Sequence, residues 1–227
     1  MTLHIRPTAA LAERAVLAED PGDAMALAQA LLERPLMFNH SRGLWGYTGL
    51  AADGRPLTVQ STGIGAPSAG VVLDELIALG LGRAIRVGTC AALDPDLELG
   101  ELLIAGAALP PDAGAPVEAD VDLTRLLATA APAVRRGLVA SADRFYDDDG
   151  ETRWAGNDGG AAWRAAGAGA LDLETAALLR LADRRGIGLA CVLVVADLLA
   201  PPRRIGDEAL AAATQRAGGL AAQALTP

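Results

Sequence analysis

Three turns in this chain combine small residues with exposed backbone amides, the arrangement by which a backbone cradles an anion. They are Pro21-Gly22-Asp23, Thr62-Gly63-Ile64-Gly65-Ala66-Pro67-Ser68 and Arg86-Val87-Gly88-Thr89. Glycine admits close approach, and a helix N-terminus aims free N–H groups at negative charge. Each turn alone is equally at home as a purely structural turn, and none has Walker or GxGxxG spacing. Arg86 lies inside an apolar strand-like run, where an unpaired guanidinium is costly. It needs an anion, either a neighbouring carboxylate or a bound phosphate, whose oxygens match the planar guanidinium fork. Thr89, three residues on, can offer its hydroxyl to the same anion. Towards the C-terminus, Asp172 and Glu174 flank Leu173 at the start of a helical stretch, where carboxylates suit the helix dipole either as caps or as site residues. Asp197 closes the very apolar run 190–196. Its carboxyl is therefore either a turn residue or a partly desolvated proton donor.

The elements that must position these residues alternate between strand and helix. Residues 14–19 read as a strand ending in the turn Pro21-Gly22-Asp23, followed by a helix over 24–33. Residues 44–51 and 57–62 form a hairpin around Asp53-Gly54. An amphipathic helix spans 66–79, with Pro67 and Ser68 in its first turn. Strands follow at 84–88, 102–109 and 137–142, with a loop over 110–116 and a helix over 122–131. Residues 147–169 are less regular and read as a loop with room for one helix. A helix over 173–185, a buried strand over 188–196 and a closing helix over 207–225 complete the chain. Strands and helices alternating without a linker predict one α/β domain over residues 1–227, a three-layer α/β/α arrangement with a central mixed sheet.

Composition bounds the function. The net charge is −9, which disfavours nucleic acid or acidic membranes as partners. An anionic substrate would have to be held locally by a few arginines. The hydrophobic fraction is 52%, yet no apolar run approaches the roughly 20 residues that cross a bilayer. Residues 1–7 carry no basic start followed by an apolar segment, so no signal peptide is expected. Cys90 and Cys191 both lie in strand-like runs and read as buried thiols, which suits a cytoplasmic protein. The only histidines are His4 and His40, too few for a histidine-based metal centre or a Ser-His-Asp triad. No His, Cys or carboxylate cluster has ligand spacing, and no metal is expected.

Taken in order, the motifs resemble the hexameric purine nucleoside and uridine phosphorylase family. The resemblance runs through almost the whole chain: His4, Pro21-Gly22-Asp23, Arg42-Gly43, the Gly63–Ser68 turn, Arg86-Val87-Gly88-Thr89, Ser141-Ala142-Asp143-Arg144-Phe145-Tyr146, Asp172-Leu173-Glu174 and Asp197. It implies a phosphorylase-like fold and a nucleoside phosphorylase that needs no cofactor, with inorganic phosphate as co-substrate. By the same resemblance, Gly22, Arg86 and Thr89 would bind phosphate, joined by Arg42 from a neighbouring subunit. His4 would cross a dimer interface to the ribose 5′-hydroxyl. Glu174 would take the 2′- and 3′-hydroxyls, with Asp172 and Leu173 on the same wall. Phe145 and Tyr146 would flank base and sugar, and Asp197 would protonate the departing purine. His4 and Arg42 can serve only if subunits pair, so at least a dimer is implied, and a hexamer is the family norm.

The chain also departs from the family pattern. The Gln and Arg with which uridine phosphorylases grip uracil are replaced by Asp149 and Glu151, with Arg153 at shifted spacing, which favours purine over uridine. Ala26 stands where a further phosphate-binding arginine is usual. Asp172-Leu173-Glu174 replaces a Glu-Met-Glu segment, and Ala196 replaces a Ser before Asp197. Either Arg203 or Arg204 could supply the cation that assists Asp197. Residues 109–122 look shortened. Two other readings stay open on these departures: a hydrolytic nucleosidase of the same fold, favoured by Ala26, and a nucleoside-binding protein without turnover.

Overall fold

The structure is a computed structural model that describes residues 2–112, 114–146, 160–199 and 201–226. The first half of the chain runs β1 (Arg14–Ala18), α1 (Pro21–Leu31), β2 (Glu33–Asn39), β3 (Gly46–Leu50), β4 (Pro56–Ser61), α2 (Ala66–Ala78) and β5 (Arg83–Ala92). It continues through β6 (Leu102–Leu109), β7 (Val117–Glu118), α3 (Val121–Ala130) and β8 (Arg135–Ser141). The last third holds α4 (Ala161–Ala165), β9 (Ala170–Asp172), α5 (Thr175–Arg185), β10 (Gly188–Leu199), β11 (Pro202–Arg204) and α6 (Asp207–Ala224).

The expected mixed sheet is present, in the order β11-β10-β6-β8-β9-β5-β1-β4-β3-β2, with β7 on β6. β10 also pairs with β5. The strands β10, β6, β8, β9 and β5 therefore close into a ring, and β1, β4, β3 and β2 continue from β5 as an open wing. Burial on both faces explains why the β10 sequence is an almost unbroken apolar run instead of an alternating one. Helices cover both faces. On one, α2 and α5 bury Leu73, Leu76, Leu178 and Leu179. On the other, α1, α3 and α6 bury Leu27, Leu127, Ala217 and Ala221. α1 and α6 meet so closely that a Cβ on Gly218 would lie 2.2 Å from Leu27 Cδ2. Among the described residues no helix is long and apolar enough to cross a membrane.

Local differences from the sequence expectation have identifiable causes. Pro21-Gly22-Asp23 is the first turn of α1, not a turn before it. Asp20 is the N-cap and accepts from the Gly22 amide at 2.6 Å and the Asp23 amide at 3.3 Å, while Pro21 fills the position where a missing N–H does no harm. Strand β2 was not expected, because Pro35 breaks its pattern. It forms at the sheet edge, where proline is tolerated, and among the described residues pairs only with β3. The short strands β7, β9 and β11 were not foreseen either. Within the irregular region 147–169, α4 is the helix among the described residues. Asp149, Glu151, Arg153 and Trp154, and with them the missing uracil clamp, lie outside the described residues.

Strands β1, β5 and β10 run parallel, so their carboxyl ends share one edge, where open α/β sheets place ligands. β9 crosses there, pairing Leu171 with Ala91. The opposite edge also carries a cleft of about 410 Å³. Arg14 and Arg83, the first residues of β1 and β5, line that cleft, which places it at the amino ends of the strands and away from the buried charges described next.

Candidate active site

At the carboxyl edge a cavity of about 400 Å³ is lined by residues of β5, β9, β10 and β11 and of the segments that follow β1, β4, β8 and β9. Behind it lies a cluster of buried charges, Arg86, Asp172 and Glu174. Arg86 is fully buried. Its Nη1 donates to Asp172 Oδ2 at 3.0 Å and to Thr175 Oγ1 at 3.2 Å, and its Nη2 donates to Glu174 Oε2 at 2.6 Å and to Glu19 Oε1. Nε has no partner among the described residues. Of the two anions that could satisfy this arginine, the structure supplies carboxylates. Burial alone would lower the guanidinium pKa, but the charges of Glu19, Glu174 and Asp172 more than reverse this and hold it protonated.

Asp172 closes β9 and is itself buried. It accepts from Ser141 Oγ and from Thr175 Oγ1, both at 2.6 Å, and from the backbone amides of Glu174 and Thr175. Asp172 thus lies on the same wall as Glu174, and its oxygens face the protein. Although it lines the cavity, both oxygens are committed to Arg86 and to the start of α5, so it positions the arginine. Leu173 lines the same wall. Glu174, the residue before α5, accepts from the Gly65 amide at 2.5 Å and from Arg86. The glycine turn at 63–68 therefore meets an anion of the protein itself, the Glu174 carboxylate, and orients it. Gly63 and Gly65 need their positive φ of 71° and 85° to make that turn.

Three carboxylates around one guanidinium leave the cluster short of positive charge. Burial pushes Glu174 up to about 7, with Glu19 and Asp172 adding to the shift and Arg86 and the Gly65 amide opposing it. A carboxyl whose folded pKa is raised stabilises the fold below its unfolded value, and that contribution is lost as pH rises through the folded value. Glu174 should therefore contribute its full stabilisation below pH 4.5, lose it by about pH 7 and add no slope above. The expected loss is about 3 kcal/mol across that window. Denaturant titrations from pH 4 to 9 on wild type and Glu174→Gln should differ in slope only within this window. Parallel curves would show that Glu174 stays ionised in the folded protein.

The opposite wall carries Asp197. A bulge shifts the register between Val195 and Asp197 on β10, so that Val195 pairs with Cys90 and Asp197 with Ala91. The extra residue, Ala196, turns the aspartate towards the cavity. Its side chain is 25% exposed and lies 3.4 Å from Arg204 Nη1 on β11, which selects Arg204 over Arg203 as the cation beside it. Burial raises the Asp197 pKa, and Arg204 only partly offsets this. Phe145 and Tyr146 form the rim, packed edge to face with ring centroids 4.8 Å apart.

The expected phosphate ligands are only partly assembled. Arg86 and Thr89 converge, but on the carboxylate of Glu19: the Thr89 amide donates to Oε1 at 3.2 Å and Thr89 Oγ1 lies 3.2 Å from Oε2. Gly22 is a correction, because its amide is consumed by the Asp20 cap. α1 contributes no cation. Ala26 lies in that helix, and Asp23 in its first turn has a raised pKa from burial and from the neighbouring Asp20 and Glu19 charges. His4 and Arg42 do not line the cavity of their own chain. The amides of Leu3, His4 and Ile5 are clamped by the Glu75 carboxylate on α2, and Arg42 is exposed with a left-handed φ of 60°. Both cysteines are buried free thiols, and burial pushes Cys191 up to about 12 and Cys90 further. Glu19 escaped the sequence reading; its only signal was its place directly after the carboxyl end of a parallel strand.

A family profile described as the phosphorylase superfamily matches residues 13–226. The purine nucleoside phosphorylase DeoD-type of Geobacillus kaustophilus (strain HTA426) is 34% identical over 212 residues, covering 87% of this chain and 86% of that protein. The DeoD-type enzyme of Caldanaerobacter subterraneus subsp. tengcongensis is 32% identical over 214 residues, covering 88% and 89%. That of Clostridium perfringens (strain ATCC 13124) is 32% identical over 214 residues, covering 88% of each chain.

Proposed function

From the fact that this chain belongs to the phosphorylase superfamily, we propose that it cleaves the N-glycosidic bond of purine nucleosides with inorganic phosphate, releasing the free base and a pentose 1-phosphate. The observation that carries this reading is the placement of Glu174 and Asp197 on the walls of one cavity that Thr89 also lines and that Phe145 and Tyr146 rim, with Arg86 behind it. Ionised Glu174, fixed by Arg86 and the Gly65 amide, accepts the 2′- and 3′-hydroxyls of the sugar beside Leu173. Phe145 stacks near the base and Tyr146 packs against the sugar. A phosphate oxygen forms a bond to the anomeric carbon as the carbon–nitrogen bond breaks and its electron pair leaves with the base. The positive charge that builds on the sugar is stabilised by the adjacent phosphate. Asp197, whose carboxyl is partly withdrawn from water, passes a proton to the purine imidazole nitrogen.

Arg86 and Thr89 hold the phosphate, and Arg42 of a neighbouring subunit supplies a further cation. His4 likewise reaches the sugar of the neighbour, so the active form is at least a dimer, with a hexamer built from three. The reaction needs no cofactor beyond phosphate. The whole chain acts as one domain, and its buried free thiols suit a reducing cytoplasm.

The test is base release from inosine, guanosine, adenosine and uridine, each with and without phosphate. Release from a purine nucleoside that requires phosphate, with uridine inert, is the expected result. Equal release without phosphate would replace phosphorolysis by hydrolysis, and no release from any nucleoside would end the enzymatic reading.

A further inference from the structure

Arg86 and Thr89 present their donors to one carboxylate. The Glu19 oxygens sit on Arg86 Nη2, on the Thr89 amide and beside the Thr89 hydroxyl, which are the groups assigned above to phosphate. We infer that Glu19 occupies the phosphate subsite as a built-in carboxylate, which inorganic phosphate must displace to bind, and that Glu19 therefore sets the affinity of this site for its anionic co-substrate. The inference rests on the phosphorolytic reading and adds the residue that tunes it.

Three observations support displacement of this particular carboxylate. Both η nitrogens of Arg86 already carry protein acceptors, so an anion reaches that face only in exchange for one of them. Among the three carboxylates, Glu19 has 19% of its side chain exposed, against 1% for Asp172 and 3% for Glu174. It alone can swing into the cavity without opening the interior. The surroundings do not favour an added dianion either, since Asp20 and Asp23 follow Glu19 and α1 brings no arginine or lysine. A site held by an internal anion has a weaker apparent affinity for an external one, because the exchange subtracts the contacts already made. Loss of Glu19 leaves Arg86 paired with Asp172 and Glu174, so the cluster keeps its partners and the fold is retained.

The experiment measures phosphate binding directly, by calorimetric titration of the full-length protein without nucleoside, for wild type, Glu19→Gln and Glu19→Ala. The KM values for phosphate and for nucleoside are then measured separately. Both variants should bind phosphate about ten-fold more tightly or better, a difference of about 1.4 kcal/mol. The phosphate KM should fall with it while the nucleoside KM stays within about two-fold, a change of about 0.4 kcal/mol. Unchanged or weaker phosphate binding in both folded variants would overturn the inference. So would loss of phosphate-independent base release without any gain in phosphate affinity, which would make Glu19 a base acting on water. Because binding is read without turnover, failure of the phosphorolytic reading would show separately, as tighter phosphate binding in variants that release no base.

Discussion

Arg86→Met is expected to cost 3–5 kcal/mol of stability, roughly the penalty for breaking a buried ion pair from one side, and to abolish turnover at the same time. The guanidinium is fully buried and is the cation facing Glu19, Asp172 and Glu174. Methionine matches much of its length but leaves three carboxylates with no counter-charge. They can relieve the strain only by taking up protons, so the deficit should grow from acid to neutral pH. Denaturant unfolding at pH 5 and pH 8 checks this directly. Adding Glu19→Gln and Glu174→Gln to Arg86→Met should restore most of the stability and none of the activity, which separates the structural role of the arginine from its role towards phosphate. A single Arg86→Met variant as stable as wild type at pH 8 would mean that the cluster does not form.

Asp197→Asn should leave stability almost unchanged and lower kcat on inosine by about 10²–10⁴, the usual worth of a positioned proton donor. The stability forecast follows from geometry: the carboxylate is partly exposed, and its pairing with the largely exposed Arg204 is 3.4 Å long, a pair of little energetic weight. The catalytic forecast follows from chemistry. Asparagine can hydrogen bond to the imidazole nitrogen of the leaving base but cannot give it a proton. A purine already alkylated at that nitrogen departs as a neutral base without needing one. A 7-methylpurine nucleoside should therefore be cleaved by the variant at close to the wild-type rate. Equal losses on inosine and on the methylated substrate would assign Asp197 to binding or orientation and not to proton transfer.

The parts of the fold that could be read from sequence are those in which local pattern and tertiary role agree. β6 matches its expected range, α2, α3 and α6 lie within a residue of theirs at either end, and the hairpin of β3 and β4 follows from Asp53-Gly54. Strand β2 was hidden by Pro35, although its partner β3 follows it directly, and β9 by its brevity within a Gly- and Ala-rich stretch, its partners β5 and β8 being distant in sequence. The cavity brings together Thr89, Phe145, Tyr146, Asp172, Leu173, Glu174 and Asp197, with Arg86 directly behind. The charge balance within it was beyond reach. Arg86 could be seen to need an anion, but which one depends on a side chain 67 positions away. The Pro21-Gly22-Asp23 motif looked like an anion cradle because its residue types are right. Asp20, one position earlier, takes those amides for the helix cap, and pattern alone does not reveal that competition.

The bulge at Ala196 gives chain length a meaning distinct from chain identity. Side chains on a strand alternate, so removal of one residue exchanges the faces of everything beyond it until pairing resumes. Up to Val195, β10 is a buried scaffold for the ring; beyond the bulge it presents Asp197 to the cavity and hands over to β11. Another small residue at position 196 alters a methyl-sized contact. A deletion there makes the ladder with β5 regular and aims the acid away from the cavity while every other residue stays the same. A substitution at Ala196 and a deletion there are therefore different kinds of change, the first keeping Asp197 at the cavity and the second withdrawing it.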